Sequence, residues 1–548
     1  MLLAFVRGIA LISPFLTNHA CAGKAYNGSS DYDSGALGPS PTQSFHGSNF
    51  EPVQLNFQLV ANDSSRDRLS DGYLFIAPRG TDVKQAGALI LDQNGSIVWD
   101  GSEYGETMLF ITTKFHGEDH ILMWQGEFRA AGYGFGHYLL LDSAYNMVAN
   151  FTTQGLSNNT LADFHDANIW EGDTATMTAY VISQRDISDY NGSSDGYIVS
   201  GVIQEIDLNT NEVIFTWDSI DHVDPHDCYT VPGASSDNPW DYFHINAVDK
   251  DGLGNYLVSS RHCHALFYID HTSGAVIWRL GGKNSSFTMG ANTNFSWQHD
   301  NRWRGDKKIS LFDNAANDWQ RDAEYGRGMM LDVDTEAMTV ELEKEWLPWN
   351  RTVSASQGNL QIMDNGNAII GWGRQPFFQE YDSNGNALWA ARFGVGDVQS
   401  YRAYRFKWTG RPRTPPSITV AGQSDNITVY ASWNGATEVK QWRLLGSTTD
   451  APQRPTFLST VSKDDFETCI TYTRGGYDYF QVVALDSRGE TLAFSEFKNL
   501  DGDSVGEADI QTTMTGPLDD ELSGLVVLPL NWLRSMILQA FKTFRFVL

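Results

Sequence analysis

The chain has 548 residues, 41% of them hydrophobic and 13% aromatic, so it is too long for one ordinary core and too apolar to remain disordered. Its net charge of −29 excludes nucleic acid or an anionic bilayer surface as a main partner, since like charges repel. Any anion site must therefore be built locally, from cations gathered in a cleft.

The N-terminus, "MLLAFVRGIALISPFLTNHACAG", carries one Arg7, an apolar stretch, and Ala20 and Ala22 in A-x-A spacing. That layout predicts a cleavable secretory signal over residues 1–22 and a secreted or extracellular protein. Residues 23–50, rich in Gly, Ser, Asn and Pro, read as a flexible leader. The alternating run "VQLNFQLV" within residues 51–75 is expected to pair with the first repeat unit described next.

From Leu91 onward one pattern recurs: an apolar residue, an Asp, a polar turn, then an apolar β-branched or aromatic run. It starts at Leu91, Leu141, Ile206, Ile269, Leu331 and Tyr381, at successive intervals of 50, 65, 63, 62 and 50 residues. In "IDHTSGAVIWRLGG" the Ser-Gly supplies a tight hairpin turn between two strands. Each interval holds about four short strands with their loops, the content of one propeller blade. The expected fold class is all-β: a six-bladed β-propeller over residues 51–410, followed by a small domain.

That domain is announced by "TGRPRTPPSITV", whose prolines predict a stiff linker. Short strands over residues 415–498 then read as a small β-sandwich, Ig- or fibronectin III-like. Residues 499–521 form an acidic linker, and residues 522–548 a hydrophobic segment interrupted by Pro529, Arg534, Lys542 and Arg545. Those interruptions disfavour a spanning helix and leave an interfacial helix, a membrane or cell-wall tether, or a processed tail open.

Ten N-x-[ST] sequons accompany the secretory signal: Asn27, Asn62, Asn94, Asn150, Asn158, Asn191, Asn284, Asn294, Asn350 and Asn426 are glycosylation candidates. Removing the signal takes Cys21 with it. Cys228 and Cys263 then form a disulfide candidate with Cys469 left odd, and three buried thiols are the alternative.

A propeller brings equivalent inner-strand positions to one axis. Aligned on the turn residues Asn255, Ser310 and Asn367, His244, His299 and Ser356 each lie 11 residues upstream, and His165 of "ADFHDAN" opens a comparable strand. Arg261 follows His244 by 17 residues, Arg374 follows Ser356 by 18, and Arg185 follows His165 by 20. Three histidines, a serine and three arginines are thus expected around one pocket. Guanidinium forks bind tetrahedral oxyanions, and imidazoles donate to them, accept from them or attack them. Three imidazoles also hold zinc when carboxylates such as Asp166 and Asp300 back them, but nearby arginines oppose a cation. The reading therefore takes an anion, no metal and no cofactor.

"DYFHINAVD", "YLVSSRHCHALFYID", "VIWRLGG", "WQHDNRW" and "LFDNAAND" are similar, in order and spacing, to the arylsulfotransferase family, in its secreted branch common in filamentous fungi. The resemblance spans roughly residues 70–410. It implies a six-bladed propeller that moves a sulfuryl group from a phenolic sulfate ester to another phenol through a sulfated histidine, so the partners would be small phenolic or sulfated substrates. Carried over by motif, His299 takes the nucleophile's place. His244, Asn246 and Arg261 would bind sulfate, His165 would stand near the leaving phenol, and Ser356 where bacterial members carry a hydroxyl residue. Asp300, directly after His299, either orients the imidazole or opposes an anionic donor. A noncatalytic anion- or partner-binding propeller, and a hydrolase or lyase on the same scaffold, are the other classes these residues admit.

Overall fold

The computed structural model describes residues 25–59, 67–233, 238–305, 307–423, 426–450, 452–473 and 475–500. The predicted signal and the predicted hydrophobic tail lie outside them, as does all but the start of the acidic linker. No helix of the described residues is long and apolar enough to cross a membrane.

The described chain is all-β, with one four-residue helix at Ser30–Asp33 and a few 3-10 turns. Six sheets contain a four-stranded antiparallel meander, and two further sheets, of three and four strands, follow. The six repeat starts all fall at one structural point, the irregularity where the third strand of a meander meets the fourth. The register shifts at Ile90/Leu91, Leu140/Leu141, Glu205/Ile206, Tyr268/Ile269, Met330/Leu331 and Glu380/Tyr381. The recurring Asp has a local cause, because its carboxylate caps the turn by accepting backbone N–H groups, as Asp92 does from Asn94 and Ser96 and Asp382 from Asn384 and Asn386. In the fifth copy Asp334 does this in place of Asp332.

The first sheet joins the two ends of this region. Its first strand, Ala403–Phe406, comes from far downstream and pairs with Tyr73–Ile76, followed by Ala88–Leu91 and Ile97–Gly101. The first strands of sheets two to six are Phe110–Phe115, Ala167–Trp170, Ile245–Lys250, His299–Trp303 and Asn359–Ile362. Neighbouring sheets touch through these strands in order, and the sixth returns to the first through Asn359–Ile362 against Ala403–Phe406.

Two expectations are corrected. Asn56–Leu59 pairs with Ala387–Arg392 of the sixth sheet, not with the first. The described part of the leader is folded rather than flexible: Tyr26–Asn27 adds a parallel strand beside Asn56–Leu59, Tyr32 is fully buried, and the Glu467 carboxylate accepts the backbone N–H groups of His46 and Gly47.

The last two sheets, ordered Ser417–Gln423, Asn426–Ser432, Thr468–Thr473 and Thr456–Ser462, Gln441–Ser447, Tyr479–Leu485, Thr491–Phe494, share a core built on Trp442, Val429, Ile470 and Phe480. Side-chain bonds fasten them to the first two sheets. Asn434 Oδ1 accepts from the Asp100 amide and its Nδ2 donates to the Asp100 carbonyl, while Tyr145 Oη donates to Gly435 O.

Candidate active site

The entries to the innermost strands converge on one cavity of about 860 Å³. His165, His244, His299 and Ser356, each just before or at the first strand of sheets three to six, all line it. The remaining two sheets contribute Tyr401, two residues before Ala403–Phe406, and Met108, two before Phe110–Phe115. Arg261 also lines the cavity, on the turn after Tyr256–Ser260, and so does Arg374, half exposed and paired with Asp318 at 2.5 Å. Two expected members are elsewhere. Arg185 ends the 12-residue strand Thr174–Arg185, whose length carries it out to an exposed position away from the cavity. Asn246 is fully buried behind the wall, donating through Nδ2 to Gln298 O at 2.7 Å.

The three expected histidines differ in what holds Nδ1. His165 Nδ1 faces Asp163 Oδ1 at 2.5 Å, and His244 Nδ1 faces Asp241 Oδ2 at 2.5 Å. His299 Nδ1 instead faces the neutral Asn314, at 2.7 Å from Oδ1. The orientation of Asn314 is forced, because its Nδ2 donates to two carbonyls, Ser354 O and Gln357 O, both at 2.9 Å. Oδ1 must then accept, so His299 Nδ1 carries the hydrogen and Nε2 keeps its lone pair. That lone pair faces the Gln357 amide at 3.2 Å, on a residue held at a φ of 67°.

Burial pushes the His299 imidazole well below its usual range, and the nearby Arg261 and Arg402 cations push it further. His244 moves the same way through burial, His165 and Arg261, and burial raises its partner Asp241. These imidazoles are neutral near pH 7. Arg261 is lowered by burial to about 10 and so stays charged there.

Arg261 is fixed from several sides. Its Nη2 donates to Ala355 O at 2.9 Å, Nη1 reaches His262 Nε2 at 3.0 Å, and the guanidinium lies 5.2 Å from the Trp297 ring. Its buried Nε has no hydrogen-bond partner among the described residues. Asp300 turns away from any anion. It accepts from Leu360 N and Tyr404 Oη and is paired with Arg302 and Arg402.

Sequence reading missed His262, Asp241, Asp163, Asn314 and Tyr401. The first three lie within a few residues of a residue it did name, Asn314 lies inside the quoted motif "LFDNAAND" without having been given a role, and only Tyr401 lacks a local signal. Cys228 and Cys263 are joined in a disulfide, which ties the turn bearing Arg261 and His262 to the cavity wall at Tyr229. Cys469 is disulfide-bonded too, and is not the odd thiol expected. Eight sequon asparagines, Asn27, Asn94, Asn150, Asn158, Asn191, Asn284, Asn294 and Asn426, are exposed; Asn350 is half-buried and Asn62 lies outside the described residues.

Asp241, His244 and His262 lie close enough together to hold a cation. Most of their donor atoms are committed otherwise: His244 Nδ1 to the Asp241 carboxylate, His262 Nδ1 to Asp241 O at 2.7 Å, and His262 Nε2 to Arg261. The neighbouring guanidinium makes the place a poorer cation site than an anion site.

Neutral imidazoles and a charged guanidinium thus meet in one cavity of an all-β scaffold, an arrangement better suited to an anion than to a cation. The family model described as arylsulfotransferase (ASST) matches residues 112–394, more than half of the chain, and the chain belongs to that family. Membership suggests arylsulfotransferase-like activity on small aryl substrates. No curated protein matches the chain. Among solved structures it is similar to a protein of unknown function from Bacteroides caccae, at 13% identity over 61% of this chain and 98% of that one, with a TM-score of 0.35. It is also similar to TolB from Acinetobacter baumannii, at 12% identity over 60% and 67%, with a TM-score of 0.31.

Proposed function

We propose that the chain is a secreted aryl-sulfate:phenol sulfotransferase, a six-bladed propeller with a fibronectin III-like domain, working through a sulfohistidine at His299. The observation that carries this is the tautomer of His299. Asn314 leaves Nε2 unprotonated, its lone pair accepting only from the Gln357 amide, in a residue that lines the same cavity as Arg261, a charged group with one N–H unpartnered among the described residues.

In the first half-reaction the Nε2 lone pair attacks sulfur, the S–O bond to the aryl group breaks, and the phenolate leaves with the bonding pair. His165, its ring oriented by Asp163 at Nδ1, is the general acid that protonates that oxygen. The sulfo group replaces the Gln357 amide as the partner of Nε2, and that N–H then donates to a sulfo oxygen. The Arg261 guanidinium stabilises the charge on the nonbridging oxygens, while His244 lines the pocket beside it. In the second half-reaction neutral His165 takes the acceptor phenol's proton, its oxygen attacks sulfur, and the N–S electrons return to Nε2. Two easier displacements replace one hard one, which predicts ping-pong kinetics. Substrate binding belongs to Arg261, His244 and the mouth arginine Arg374, with Asn246 supporting the wall.

Secretion rests on the signal layout, the exposed sequons and the disulfide, which suits an oxidising compartment. The test is incubation of the purified protein with a chromogenic aryl sulfate, with and without a phenol, with intact mass for a sulfated His299. Acceptor-dependent release and a sulfo adduct absent from His299→Ala support the reading. Acceptor-independent release points to hydrolysis, and no release from any donor points to a noncatalytic anion binder.

A further inference from the structure

The mouth of the cavity carries large apolar side chains that the chemistry above does not use. Trp319 is 73% exposed, Tyr229 44% and Phe128 39%, and all three line the cavity. Large exposed apolar groups gathered at one opening mark a binding site rather than ordinary surface. They are continuous with the reaction centre. Trp319 packs 6.2 Å from Trp297, edge to face, and Trp297 lies 5.2 Å from the Arg261 guanidinium. On the other side Tyr229 stacks on His264 at 4.1 Å, and His264 meets Trp297 at 4.4 Å. Buried Trp297 and His264 thus back the wall between Arg261 and the opening, where the Trp319 and Tyr229 rings line the cavity.

We propose that this rim is an aryl subsite selecting substrates with two or more linked or fused aromatic rings, one of them bearing the hydroxyl or its sulfate ester. The inference rests on the transferase reading and adds its substrate class. With the sulfo group held at Arg261 and His299, a single ring fills only the inner end of a cavity near the top of the range used for drug-sized ligands, about 300–1,000 Å³. A second ring reaches Trp319 and Tyr229, where ring faces stack on ring faces.

A sugar is the other ligand that aromatic rims accept, and the polar groups at this mouth disfavour it. Asp318 is paired with Arg374 and Arg79 with Glu106, while Asp397 accepts from Thr81 N, Thr81 Oγ1 and Gln399 Nε2. Few of these groups are left to meet sugar hydroxyls, whereas the ring faces are open.

The experiment is calorimetric binding of biphenyl-4-yl sulfate, phenyl sulfate and a monosaccharide sulfate to the full chain. It uses the His299→Ala background, so that turnover plays no part, and Trp319 as Trp, Phe or Ala. The expected result is biphenyl-4-yl sulfate bound at least about tenfold tighter than phenyl sulfate. Trp319→Ala erases that ratio, Trp319→Phe restores most of it, and Phe457→Ala, exposed on the strand Thr456–Ser462, leaves it unchanged. Equal affinities for one and two rings, or equal weakening of both by Trp319→Ala, overturns the proposal. Tighter binding of the sugar sulfate that depends on Trp319 also overturns it. If the wild type fails to turn over aryl sulfates yet shows the ring-dependent ratio, the transferase reading falls and the subsite stands.

Discussion

Replacing Asn314 tests the logic of the site most directly, since one side chain orients both nitrogens of His299. Asn314→Ala removes the acceptor at Nδ1 and the donors to Ser354 O and Gln357 O, three interactions in a fully buried place. A single neutral hydrogen bond contributes about 1 kcal/mol net, and an orphaned buried group costs about 1–3 kcal/mol. Loss of the orienting bond together with displacement of the Gln357 amide should therefore cost about 3 kcal/mol of the sulfation barrier, or about a hundredfold in rate. Asn314→Asp keeps an acceptor at Nδ1 but places a carboxylate beside the imidazole, which favours the imidazolium. The acid limb of the rate profile, set below the usual imidazole range by burial, should move up. The assay is the pre-steady-state burst of phenol release across pH. Labelling of His299 Nε2 by diethyl pyrocarbonate gives an independent measure of the same lone pair. Wild-type burst rates in Asn314→Ala, with an unmoved profile and labelling rate in Asn314→Asp, would refute the assignment.

Two further outcomes are expected. His264, lowered to about 4 by burial, binds a proton in the unfolded chain below pH 6.5 but not in the folded one, so its contribution to stability is lost as pH falls from 6.5. Between pH 6.5 and 5 the wild type should lose about 2 kcal/mol relative to His264→Gln in denaturant unfolding, and parallel curves would contradict this. Cleaving Cys228–Cys263, 35 residues apart, frees a loop whose closure is worth up to about 4 kcal/mol. Because Cys263 adjoins Arg261 and His262, the Cys228→Ser/Cys263→Ser protein should also bind aryl sulfates more weakly at a temperature where it remains folded; unchanged affinity there would reduce the bridge to a stability element.

What was legible in the chain was whatever is local. The six repeat starts were readable because an Asp that caps its own turn must sit at a fixed place in its hairpin, so hairpin phase and sequence phase coincide. His244, His299 and Ser356 came from a second alignment, each 11 residues before Asn255, Ser310 and Asn367, of which Ser310 lies inside the strand Lys308–Asp313 and not at a turn, and His165 came from the motif that opens its strand. Arg185 failed because the rule assumed equal strand lengths, and Thr174–Arg185 is 12 residues where Tyr256–Ser260 is 5. Tyr401 escaped because the first strand of the first sheet arrives from the far end of the region, so reading unit by unit never aligns it. Asn314 lies 15 residues from His299, across a strand pair, with nothing in the intervening sequence to link them.

A chain of net charge −29 can hold an anion only where positive charge is left uncompensated, and the buried arginines show where that is. Arg79, Arg402 and Arg405 each face a carboxylate, that of Glu106, Asp300 and Glu380. Arg261, equally buried, is ion-paired to none of the described carboxylates and satisfies its Nη atoms with a carbonyl and an imidazole. An unpaired buried charge costs several kcal/mol of folding stability, so a chain keeps one where a ligand supplies the counter-charge. The three paired arginines stabilise the scaffold. Arg261 is the buried guanidinium with no ion pair among the described residues, and it lies in the same cavity as His299, whose Nδ1 is held by the neutral amide of Asn314.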